Sequence, residues 1–185
     1  MPLLCEADLS DIRIGSVRDL GVMSVIPVSC ESGPLRFQLV SKNRLGEVQC
    51  LWEPSVFKGD GSEARKTIVF EVPNDVQSNI ESIEDAIKKL LQPMHPRIGS
   101  IWHSSVKDKT LRSKIRLVAP RSCVFTSVDG EPIDQPEEWR RLQVLPILEL
   151  KCVYEQANIA RLIWEFVAMR VGECRQAELV HFAFE

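Results

Sequence analysis

Only one stretch of this chain repeats its apolar residues at helical spacing, and that restricts the fold more than any other feature. Val76, Ile80, Ile83, Ile87, Leu90 and Leu91 form a single stripe, which predicts a helix over 75–92. Asn74 or Asp75 supplies a capping oxygen for the first-turn amides. Pro93 and Pro96 stop the helix. Glu81, Glu84 and Asp85 precede Lys88 and Lys89, the order that suits the helix dipole.

Everything around that helix reads as strands. Before it come Val22 to Val28, ending at Pro27 and a polar turn, and Leu35 to Val40, with Phe37 and Leu39 on one face. A turn at Lys42 to Gly46 leads to a return strand, Val48 to Trp52. A polar loop at Lys58 to Glu63 leads into Lys66 to Val72, rich in β-branched and aromatic residues. After the helix, Ile98 to Val106, Ser113 to Ala119 and Cys123 to Val128 are strand candidates, and Asp129-Gly130 marks a turn. An exposed acidic loop covers Glu131 to Glu138. Leu142 to Tyr154 is a long strand in which Pro146 implies an edge or a bulge. A turn near Asn158 joins it to Ile159 to Val171, where Leu162, Trp164 and Phe166 share one face and Ile163, Val167 and Met169 the other. The pattern predicts a mostly β, α+β domain or a partly open barrel, and the strand count permits, without requiring, a Greek-key barrel of the OB type. That barrel has five strands, with a helix between the third and the fourth. The expected organisation is an arm or short strand over 1–20, one barrel-like domain over 21–172, and a tail or last strand over 173–185.

Composition excludes several classes. With 185 residues, 44% hydrophobic and 26% charged, the chain suits one packed domain. The net charge of −3 excludes a globally basic binder, though not a locally basic one. The six cysteines are scattered, and none forms the close pair that aims two thiolates at one metal. They read as free thiols, and no metal or other cofactor is expected. The absence of a signal-like start or a long apolar run points to an intracellular protein, nuclear or cytoplasmic, with no membrane association.

Catalytic motifs are missing. The run Gly59 to Thr67 ends in Lys-Thr, but Arg65 stands where a phosphate loop needs glycine, and a strand follows instead of a helix. His95, His103 and His181 have no ligand-spaced partner. Glu137-Glu138 sits in a proline-rich loop. No hydrolase or metalloprotease signature appears, so no enzyme is expected.

One cue remains. Between Arg97 and Arg121 lie Arg97, Lys107, Lys109, Arg112, Lys114, Arg116 and Arg121, against a single acid, Asp108. Trp102 and His103 are embedded among them. Cations track a phosphodiester backbone and release counterions, and an aromatic ring offers a face to an unpaired base. The plainer alternative is a solvated hairpin, with Lys114 and Arg116 alternating against Ile115 and Leu117 and with Trp102 in the core. Residues 127–185 hold eleven acids against six Arg and Lys, which restores the overall balance.

From Lys66 onward the order of features resembles OB-fold single-stranded-DNA-binding-like proteins of large DNA viruses and related replicons. The resemblance covers about residues 66–172. It rests on the KTIVFEV strand, the IEDAIKKLL helix, Ile101-Trp102, the basic SKIRL strand, Asp129-Gly130, and the paired ending VLPILELKCVY and ARLIWEFVAMRV. It implies a barrel that binds single-stranded nucleic acid, DNA ahead of RNA, in replication or repair. Trp102, Lys107, Lys109, Arg112, Lys114 and Arg116 would be contacts, with Arg97 and Arg121 flanking them. A homo-oligomer or a replication-protein partner is the further expectation, and a viral factory the location if the source is viral. The competing function is a protein-interaction or structural module using the edge near Pro146 or the aromatic end of the chain.

Overall fold

A computed structural model describes residues 9–31, 33–39, 48–56 and 65–172. The expected turn at Lys42 to Gly46, the loop at Lys58 to Glu63 and the tail over 173–185 lie outside the described residues.

Among the described residues, a short 3-10 turn (Leu9–Asp11) is followed by eleven strands and two α-helices. They are β1 (Arg13–Ile14), β2 (Arg18–Asp19), β3 (Ser24–Ser29), β4 (Leu35–Gln38), β5 (Val48–Cys50) and β6 (Arg65–Glu71), then α1 (Asn74–Leu91) and α2 (Ile98–Ile101), then β7 (Val106–Lys107), β8 (Thr110–Arg116), β9 (Val124–Thr126), β10 (Gln143–Gln156) and β11 (Ile159–Val171). Five of them pair in a ring, in the order β5, β6, β8, β11, β10 and back to β5. Numbered along the chain, that ring runs one, two, three, five, four, with β8 and β11 parallel. Closure between β10 and β5 rests on two residue pairs, Gln143 with Gln49 and Val144 with Val48, so the barrel is partly open. The helix enters between the second and third ring strands, one strand earlier than in the OB order.

The long β10–β11 hairpin organises the rest. Its two-residue turn, Ala157 and Asn158, takes positive φ at both positions, which matches the strand twist. Along its other edge β10 pairs in succession with β5, β4 and β3. Val48 to Cys50 is therefore no return strand to β4, since both lie end to end against β10. Pro146 falls between the segments paired to β5 and β4, where a missing N–H costs no ladder bond. β10 is thus an interior strand at Pro146, with a register shift beginning at Ile147/Leu148. That bulge changes which side of β11 faces inward. Leu162, Trp164 and Phe166 are core residues, but beyond the bulge Met169 joins them and leaves the face of Ile163 and Val167.

Helix α1 covers the ring with Val76, Ile80, Ile83, Ile87 and Leu91, all buried, while Leu90 is exposed. Pro73 occupies the N-cap position and no side chain caps the helix, so neither Asn74 nor Asp75 does. Glu84 is buried within the apolar stripe. Its carboxylate accepts from the Ser105 amide at 2.8 Å and from Trp102 Nε1 at 3.3 Å, while Trp164 Nε1 donates to the Ser105 hydroxyl at 2.8 Å. Ile98 to Val106 is not a strand. Ile98 and Ile101 are buried three positions apart with Gly99 and Ser100 exposed between them, the spacing of a helical turn.

Candidate nucleic-acid interface

Strand β8 has the period of a half-buried strand. Leu111, Ser113 and Ile115 point inward and are buried, and Arg112, Lys114 and Arg116 point outward. Ser113 is satisfied by donating to the Trp164 carbonyl at 2.8 Å, so a polar residue fits the inner face. β6 lies beside β8 with Arg65 opposite Arg116, Thr67 opposite Lys114 and Val69 opposite Arg112. Lys114 Nζ donates to Thr67 Oγ1 at 3.0 Å. Successive outward residues on a strand are about 6.6 Å apart, which spaces these cations as a row.

At the Arg116 end the row enters a cleft of about 500 Å³. Its walls include Arg36, Arg116, Arg121 and Lys151, and its floor carries Glu149 and Glu165. These two glutamates are directly opposed across β10 and β11, and both are buried. Like charges so placed repel, and each is offset by two cations. Glu165 accepts from Arg116 Nε at 2.9 Å and from Arg65 Nη2 at 3.0 Å. Glu149 accepts from Arg36 Nε at 2.8 Å and is also paired to Lys151. Burial pushes the Glu149 pKa up, but the hydrogen bonds and charges of Lys151 and Arg36 outweigh burial and hold it below the ordinary glutamate value. The Glu149 carboxylate is therefore held as an acceptor, and Arg36, Arg116 and Lys151, which pair with the two glutamates, also line the cleft.

The residues singled out from the sequence separate into groups. Arg112, Lys114 and Arg116 form the row, and Arg121 joins it at the cleft. Lys107 and Lys109 sit at the tip of the β7–β8 hairpin, where Asp108 and Lys109 take positive φ, and Lys109 is tied to α1 through Gln77. Arg97 lies at the turn of the other hairpin, donating to Asn158 Oδ1 at 3.3 Å. Trp102 bridges to Ala160, five residues or about 16 Å along β11 from the Glu165–Lys114 pair. It is half-buried, with Glu84 at its indole nitrogen and Lys88 Nζ 5.8 Å from its ring centroid. Arg97 and Trp102 are thus not brought to the row.

Arg36, Arg65 and Lys151 escape a reading by sequence runs, because each comes from a different strand and only the pairing of strands assembles them. On β4, Phe37 and Leu39 sharing one face left Arg36 on the other, but nothing local showed what it would face, and Arg65 preceded the expected strand. Among the described residues, no group of three or more His, Cys, Asp or Glu is placed to hold a metal, and no helix is long and apolar enough to cross a membrane.

No family model and no curated sequence matches the chain. Solved structures do. That of gp2.5, a single-stranded DNA binding protein encoded by bacteriophage T7, is similar with a TM-score of 0.54 at 10% identity, over 80% of this chain and 98% of that one. The single-stranded DNA-binding protein from bacteriophage Enc34, in complex with ssDNA, is similar with a TM-score of 0.48 at 13% identity, over 87% and 96%. The first likeness shows the fold alone, an OB-like β-ring.

Proposed function

We propose that this protein is a non-catalytic single-stranded-DNA-binding module acting in replication or repair. One observation carries the reading: the outward row Arg112, Lys114 and Arg116 leads into the cleft lined by Arg36, Arg121 and Lys151, with Arg65 paired to its Glu165. A row of fixed cations on a rigid strand suits a phosphodiester backbone, which needs repeated contacts along a line. The fold is also that of gp2.5, which is described as a single-stranded DNA binding protein. In this reading Arg112, Lys114, Arg116 and Arg121 contact phosphates. Lys107 and Lys109 extend the field at the hairpin tip, and Arg97 and Trp102 act from the other hairpin only on a strand long enough to reach it.

The test is fluorescence polarisation with labelled single-stranded DNA, duplex DNA and single-stranded RNA, each over a range of salt. Tight binding to single-stranded DNA is expected, with a log–log salt slope of about −0.7 for every phosphate contact. Lys114→Ala and Arg121→Ala should each make the slope shallower by about that amount. No polarisation change with single-stranded DNA at low salt, or a clear preference for duplex, refutes the proposal.

A further inference from the structure

The cation row accounts for phosphates and leaves open what receives the bases. Of the four tryptophans, Trp139 and Trp164 are buried and Trp102 is half-buried. Trp52, by contrast, is 58% exposed. Its position is fixed by the strand beside it. The Leu51 amide donates to the Val69 carbonyl at 2.9 Å, and Ser55 and Thr67 exchange backbone bonds at 2.9 and 2.7 Å. Trp52, Glu53 and Pro54 therefore loop out opposite the single residue Ile68, with both feet of the loop held on β6. Glu53 pins the loop from a third side, its Oε1 accepting from the Trp139 amide at 2.9 Å and the Arg140 amide at 3.2 Å. The two feet bond to Val69 and Thr67, which lie opposite Arg112 and Lys114 on the far edge of β6. Two strand spacings, about 10 Å, separate the loop from the cation row.

From this geometry we infer that Trp52 is the stacking platform for an unpaired base of the strand whose phosphates lie on Arg112 and Lys114. The inference rests on the single-stranded-DNA reading and adds the direction in which the bases point. Phosphates follow β8 and the cleft, and bases turn across β6 toward the 51–55 loop. A side chain this large and this exposed gains little for the fold where it stands. Anchoring its loop at three points limits the ordering cost of binding. Stacking on an indole does not depend on base identity, because every base has a π-face.

The experiment compares wild type, Trp52→Ala and Trp52→Phe on a single-stranded dT oligonucleotide and on an abasic oligonucleotide with the same phosphodiester charge. Trp52→Ala should weaken dT binding by roughly 5- to 150-fold, the range of one lost base–aromatic stack, and leave abasic binding unchanged. Trp52→Phe should recover most of the loss. In wild type, dT should quench the iodide-accessible tryptophan fluorescence, and Trp52→Ala should lack that component. If Trp52→Ala binds dT like wild type, this inference falls and the single-stranded-DNA reading stands. An equal loss on dT and abasic strands also overturns it, because the indole is then not reading bases. A shift of Trp52→Ala from dimer to monomer in sedimentation, with binding unchanged, assigns the indole to a second copy and overturns it too. Wild type that binds neither strand removes both readings together.

Discussion

Replacing Glu165 by glutamine removes one charge and almost no volume, and the structure gives its effects on stability and on binding opposite signs. The Glu165 side chain is 6% exposed and holds Arg65 and Arg116, whose side chains keep 33% and 35% of their surface in water. Breaking a fully buried ion pair costs about 3–5 kcal/mol, because an unpaired charge is left dry. Here the stranded guanidiniums remain partly hydrated, and the glutamine carbonyl still accepts from one of them. Repulsion from Glu149, directly across the ladder, also disappears. The expected net loss is about 1–2 kcal/mol, which lowers Tm by roughly 2–8 °C for a chain of this size. Binding should change in the other direction. Removing the one negative charge that Glu165 sets against Arg65 and Arg116 leaves about one more net cation for phosphate, and the salt slope should steepen by about 0.7. Calorimetry together with polarisation titrations at several salt concentrations reads both quantities from one preparation. A variant that loses affinity along with stability, or whose slope is unchanged, refutes the reasoning. Glu165 would then orient the arginines for the ligand instead of competing with it.

Acid should weaken the same cleft. The pairing of Glu149 is complete above the unfolded glutamate value near 4.5 and is lost as pH falls through its lower folded value. The urea midpoint should therefore fall below about pH 4.5, and Glu149→Gln should flatten that limb of the profile. Glu84→Ala should destabilise the fold by about 2–4 kcal/mol in urea titrations, because the Ser105 amide, the Ser105 hydroxyl and Trp102 Nε1 lose their acceptor. The DNA affinity of the folded fraction should not change. Burial pushes the Cys50 and Cys152 thiols up to about 11 and raises Cys123 still further. At pH 8 all three should resist alkylation in the native protein and react once it unfolds, as peptide mass spectrometry would show.

The stripe from Val76 to Leu91 and the alternation of Ile115 with Lys114 and Arg116 were legible because periodicity is a local property of the backbone, although the strand runs from Thr110 to Arg116 and not from Ser113 to Ala119. The β10–β11 hairpin was legible for the same reason, down to its turn at Asn158. Short elements were less so. Ile98 to Ile101 has too few residues to separate a helical from an extended spacing, and the inward face of β11 switches at a bulge that only its partner strand creates. Trp102 lies next to cations in sequence, yet Glu84 and Lys88, on a different element, hold it at the helix.

What the sequence by itself determined was the class of fold, the main helix, the β10–β11 hairpin and the sign of the charge on one face of β8. Tertiary structure alone decided which residues share that face. Strand pairing sets Arg36 from β4, Arg65 from β6 and Lys151 from β10 near Arg116. It opposes two glutamates that are 16 residues apart in the chain, and it carries Trp52 to the edge of β6. Pairing between strands is fixed by burying apolar faces together and satisfying backbone bonds across long sequence separations. Spacing along one strand records which side a residue takes, and only the neighbouring strand determines what it meets there.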